Sequence, residues 1–105
     1  MRRFNLEDVF QLRNSDIVIT GRMVEGEIRV NDLIILPDGN NLKVDKIEMF
    51  RKSFSIARVD DNIGILVSSG SCEPSKEYLK TILKSFLEII NISDFRDNKL
   101  NELGI

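Results

Sequence analysis

The sequence predicts a mainly β chain: a small antiparallel β-barrel over residues 1–70, followed by a helical segment over residues 71–105. Three observations carry this. β-Branched residues cluster in Ile17-Val18-Ile19, Ile28-Arg29-Val30, Leu33-Ile34-Ile35-Leu36 and Ile63-Gly64-Ile65-Leu66-Val67, as short strands require. Turn signals separate these clusters at short intervals. After Gly70 the apolar period changes from two to three and four, the change that distinguishes a helix from a strand.

The elements follow in order. Phe4, Leu6, Val9, Phe10 and Leu12 alternate only in part, which predicts a first strand bulged near Glu7-Asp8. Glu25-Gly26 and Asn31-Asp32 read as tight turns. In Pro37-Asp38-Gly39-Asn40-Asn41 the proline presets φ and the glycine is free to take positive φ, so this run is a hairpin loop. On its far side Leu42, Val44, Ile47 and Met49 interleave with polar residues, with a break at Asp45-Lys46 that requires one register shift.

Beyond the Ser68-Ser69-Gly70-Ser71 boundary, Leu79, Ile82, Leu83, Phe86 and Ile90 form a helical stripe opposite Lys76, Lys80, Lys84 and Glu88. Pro74 suits a first turn, and Glu73 and Glu77 place negative charge near the positive end of a helix dipole. The helix is expected from about residue 73 to residue 92, with Ser93-Asp94 capping a short second helix toward Gly104. The stripe must leave water, so it is expected to pack on the barrel or at a dimer interface. Leu87 and Ile89 fall off the stripe and give this helix more apolar surface than one contact face needs.

Composition narrows the chemistry. Fifteen basic residues against seventeen acidic ones give a formal charge of −2, so any contact with nucleic acid must be local. A chain without histidine has no imidazole acid, base or metal ligand, and its single cysteine, Cys72, forms no internal disulfide. No zinc ligand set exists, no metal or cofactor is expected, and the adjacent acids Glu7-Asp8 and Asp60-Asp61 read as turn charge, so a catalytic role is not expected. None of the glycines forms the Gly-x4-Gly-Lys-Ser/Thr phosphate cradle, so GTP binding is not expected either. No apolar run approaches the ~20 residues needed to span a bilayer, and the expected location is the cytoplasm.

The chemistry-bearing set is Glu48, Phe50, Arg51, Lys52, Phe54, Arg58 and Asn62. Cations pair with phosphates, aromatic faces stack on bases and an amide reads a polar edge, which are the residue types single-stranded RNA recognition uses. The plainer reading puts Phe50 and Phe54 in the core and leaves Arg51, Lys52 and Arg58 as solvated charge balanced by Asp45, Asp60 and Asp61.

Leu6-Glu7-Asp8-Val9-Phe10, Thr20-Gly21-Arg22-Met23-Val24-Glu25-Gly26-Glu27-Ile28, Ile47-Glu48-Met49-Phe50-Arg51-Lys52 and Asp61-Asn62-Ile63-Gly64-Ile65-Leu66 occur in that order. Over about residues 4–70 this series resembles the second domain of elongation factor Tu and of its eukaryotic and archaeal counterparts, the β-barrel that follows their GTPase domain. The resemblance implies a translation-factor barrel that receives the aminoacylated end of tRNA. It implies that Glu48 is the glutamate against which the terminal adenosine lies, Arg51 the arginine beside it, and Asn62 an asparagine near the aminoacyl end. In the family the GTPase domain supplies another wall of that pocket, so a site on this barrel is expected to be open and weak. Three turns of the family that contain glycine read here Arg13-Asn14-Ser15-Asp16, Val30-Asn31-Asp32 and Val59-Asp60-Asp61-Asn62. Where the family continues into a closing strand, this chain is expected to place its helix over the open edge.

Two functions follow as expectations. The first is a binding module in translation that touches tRNA or ribosomal RNA through Glu48, Arg51, Lys52, Arg58 and Asn62. The second is a protein-interaction or assembly module, the barrel serving as scaffold and the helix making contact with a partner or a second copy through Leu79, Ile82, Leu83, Phe86 and Ile90.

Overall fold

The structure, a computed structural model, describes residues 2–91. Its strands are β1 (Arg2–Gln11), β2 (Ile17–Glu25), β3 (Ile28–Arg29), β4 (Leu33–Ile35), β5 (Asn41–Met49), β6 (Lys52–Phe54), β7 (Ile56–Ala57), β8 (Asn62–Ser69) and β9 (Phe86–Ile90), with one short helix, α1 (Lys76–Thr81). Six strands close a ring in the order β4-β9-β1-β2-β8-β5 and back to β4, and every pairing is antiparallel. Closure removes the unpaired edges that make open sheets prone to association. β6 extends the sheet beside β5, and β3 pairs with β7.

Period-two alternation puts one side of each strand inside. Phe4, Leu6 and Val9 of β1, Ile17, Ile19 and Met23 of β2, Leu42, Val44 and Ile47 of β5, and Ile63, Ile65 and Val67 of β8 form one buried cluster. Both expected irregularities are present: β1 slips register between Leu6 and Asp8, and β5 between Val44 and Lys46. Each bulge preserves an inward apolar set by absorbing one extra residue.

The turns take left-handed backbone where the sequence offers tolerant residues. Gly26, Gly39, Asn31 and Asp60 have positive φ, and in the β1–β2 turn Ser15, rather than Asn14, takes this conformation. Gly21 has a different reason to be glycine. A Cβ there would meet the Asn5 carbonyl oxygen, because β1 and β2 cross closely beside the first bulge.

The expected long helix is corrected by the structure. Ser75 caps α1 by accepting from the Tyr78 N–H, and the helix ends at Thr81, with Ile82 as its C-cap. Lys84 then turns left-handed at φ 69°. Lys84 N–H donates to Leu6 O, and Leu6 N–H donates to Ser85 O at 3.0 Å, which delivers the chain to β1 as a strand. β9 fills the space between β1 and β4, with Phe4 opposite Leu87 and Ile34 opposite Ile89. The closing strand assigned only to the family is therefore present here.

The physical reason is non-local. The edges of β1 and β4 offer backbone partners to every residue of β9, whereas an isolated helix of this length satisfies its own ends poorly. The apolar residues redistribute accordingly: Leu87 and Ile89 are buried, Phe86 is 59% exposed, and Leu79, Ile82 and Leu83 pack against the barrel core. Residues 71–91 thus share one core with residues 2–70. The second expected helix, 93–104, lies outside the described residues.

Candidate nucleic-acid interface

The outer face of the barrel is built by the residues that alternation excludes from the core. Strand register places Phe10, Val18, Leu66 and Lys46 in one row across β1, β2, β8 and β5. Asp8, Thr20, Gly64 and Glu48 form the next row, and Arg22 and Asn62 stand opposite each other beyond it. A cleft of about 410 Å³ opens over this surface, lined by Phe10, Leu12, Asp16, Val18, Lys46, Glu48, Gly64 and Leu66. Phe10 and Leu12 are about half exposed, an arrangement that leaves apolar surface available to a ligand.

Gly64 is the floor of the cleft. A Cβ added there would meet only the Val18 Cγ1, at 3.7 Å, an ordinary contact. Neither fold nor backbone conformation demands glycine at this position, in contrast to Gly21. The missing side chain leaves a bare strip of sheet on which a flat ring can lie.

Charge is confined to the rim. Glu48 stands directly opposite Gly64, and its Oε1 lies 4.0 Å from Lys46 Nζ. Asp16 closes another side from the β1–β2 turn, its backbone N–H accepted by Asn14 Oδ1 at 3.0 Å. Beyond the last row, Arg22 Nε donates to Asn62 Oδ1 at 3.1 Å. Arg58 N–H donates to Asp61 Oδ2 at 2.9 Å in the turn that leads into Asn62.

Arg51 sits with Phe50 at the tip of the β5–β6 hairpin. Met49 pairs with Lys52, so Phe50 and Arg51 form a two-residue turn, with φ 51° and 64°, the left-handed combination of the I′ class. Arg22, Arg51, Lys52 and Arg58 pair with no carboxylate among the described residues.

Of the residues singled out from sequence, only Glu48 lines the cleft itself. Arg51 and Lys52 belong to the adjoining hairpin, Asn62 to the neighbouring row, and Arg58 to the turn before it. Phe50 and Phe54 are 91% and 38% exposed, so the reading that made them core residues is corrected. The sequence reading missed Phe10, Leu12, Val18, Gly64 and Leu66 as cleft residues. Their signal was present: Ile63, Ile65 and Val67 claim one face of β8, which leaves Gly64 and Leu66 on the other.

A broader depression of about 810 Å³ lies between the β1–β2 turn and α1, lined by Gln11, Ser15, Ile17, Pro74, Ser75, Lys76, Glu77 and Lys80. Its walls are mostly polar and hold charges of both signs, and they include no aromatic side chain.

This architecture is the β-barrel fold of translation elongation factors. The bacterial selenocysteine-specific elongation factor EF-Sec matches it with a TM-score of 0.67 and 21% identity, over 86% of this chain and 14% of that one. Translation elongation factor SelB from Methanococcus maripaludis, in its apo form, matches with a TM-score of 0.65 and 22% identity, over 86% of this chain and 18% of that one. The chain thus spans less than a fifth of the length of either factor. No family model matches the sequence. No helix among the described residues is long and apolar enough to cross a membrane.

Proposed function

We propose that this chain is a non-catalytic binding module of translation whose outer-face cleft receives the terminal adenosine of an RNA 3′ end, as on tRNA. One observation carries this reading: the cleft has apolar walls and a floor at Gly64 that the fold itself does not require. A purine ring lies against Val18 and Leu66, and the Glu48 carboxylate accepts from a hydroxyl or amino group at its edge. Arg51, Lys52, Arg58 and Arg22 attract the phosphates, and Asn62 stands beside the path of the chain's end. The likeness to barrels of elongation factors and the matched positions Glu48, Arg51 and Asn62 support the same assignment.

The site is open on one side, so affinity is modest: association costs several kcal/mol of lost freedom, and a single stacked base contributes about 1–3 kcal/mol. Cytoplasmic location belongs to this proposal, because that is where translation takes place. The assembly reading is less well supported, since Leu79, Ile82 and Leu83 are already engaged with the chain's own core.

Titration calorimetry with the trinucleotide CpCpA tests the proposal. Gly64→Val is expected to leave the melting temperature unchanged and to abolish binding, because its side chain occupies the floor of the cleft. Glu48→Ala is expected to weaken binding about tenfold, the worth of one charge-assisted hydrogen bond. Undiminished binding by folded Gly64→Val would refute the cleft.

A further inference from the structure

Phe50 is the most exposed large apolar side chain described, at 91%, and it occupies a left-handed position. Two-residue hairpins of this class favour Asn-Gly, since bulky L-residues resist positive φ. Phe50-Arg51 therefore stands in a costly conformation with an aromatic ring in water. Strain held at an exposed residue points to a contact made outside the chain.

The position of the ring indicates which contact. Glu48 stands opposite Gly64 in the β5–β8 ladder, and Phe50 follows Glu48 by two residues, at the tip of the hairpin that adjoins the cleft. On β8, Asn62 precedes Gly64 by two residues and accepts from Arg22 Nε. Arg51 and Lys52 flank Phe50, and neither they nor Arg22 meet a carboxylate among the described residues. An exposed aromatic ring on the hairpin beside the cleft, flanked by cations that meet no carboxylate among the described residues, suits the next nucleotide of a single strand: a base on the ring and phosphates on the cations.

We infer that Phe50 stacks on the base of the nucleotide preceding the one in the cleft, so that the site reads a single-stranded 3′ end of at least two nucleotides. This rests on the cleft assignment above and extends it. Phe50 adds affinity without sequence preference, because every base presents a π face.

Binding of AMP and of CpA to the full chain separates the two ideas, since the ligands differ only by the preceding cytidine. CpA is expected to bind about tenfold or more tightly than AMP. Phe50→Ala is expected to remove that increment while leaving AMP affinity unchanged, and Phe50→Trp to restore it. If AMP binds and CpA gains nothing, or if Phe50→Ala retains the full increment, the stacking role is overturned and the cleft stands. Failure of AMP, CpA and CpCpA alike overturns both.

Discussion

Phe4 on β1 stands directly opposite Leu87 on β9, and both side chains are fully buried in the barrel core. This pair closes the barrel with the very segment whose sequence also fits a helix. In a helix Leu87 lies off the apolar stripe and Phe86 on it; in the strand their roles are exchanged.

That exchange is measurable by thermal or urea unfolding. Leu87→Ala is expected to cost about 2–5 kcal/mol, as for truncation of a buried leucine. Phe86→Asp, at a position 59% exposed, is expected to change stability by no more than about 1 kcal/mol. The reverse order would restore the helical assignment.

Asp32 ties the start of β1 to the β3–β4 turn. Its buried carboxylate accepts from Arg2 Nη1 and from the Arg29 backbone N–H, both at 2.8 Å. Asp32→Ala leaves the Arg29 N–H without its acceptor and Arg2 Nη1 with only the Glu27 carbonyl, and is expected to destabilise the barrel by about 2–4 kcal/mol. Asp32→Asn retains an acceptor for Arg29 N–H and is expected to cost less. Equal stability of the alanine variant would show that water replaces the carboxylate.

Under the proposed function, the β5–β6 hairpin sets binding against stability. Replacing Phe50-Arg51 by Asn-Gly supplies the residues that positive φ favours and is expected to raise stability by about 1 kcal/mol. The same double variant is expected to lose the CpA increment. A less stable double variant would show that Phe50 or Arg51 contributes packing within the chain.

Asp8 provides a pH-dependent reading. The Val9 backbone N–H, 2.8 Å from Asp8 Oδ1, and secondly Lys80 hold its carboxyl below the ordinary value of 3.8. A depressed folded-state pKa means that this contribution to stability is complete above the unfolded pKa and disappears as pH falls through the folded one. NMR titration is expected to place Asp8 below 3.8, and Lys80→Ala to raise it only in part, because the backbone donor is the larger cause. Full return to the ordinary value in Lys80→Ala would make the lysine the dominant partner.

The sequence by itself determined β1 to β5 and β8, with the bulges near Glu7-Asp8 and Asp45-Lys46, because inward and outward faces follow from period-two alternation that each strand carries locally. It also marked Glu48 and the cationic set, whose residue types announce their chemistry. Tertiary structure alone decided three things. Leu79 to Ile90 satisfy two periods at once, and the open edges of β1 and β4, remote in sequence, selected the strand. Phe10, Leu12, Val18 and Leu66 look like core residues in isolation, and only strand register shows that they share an outer face. Gly64 reads as a strand glycine until the register sets it in the cleft, where an added Cβ would make only an ordinary contact with Val18.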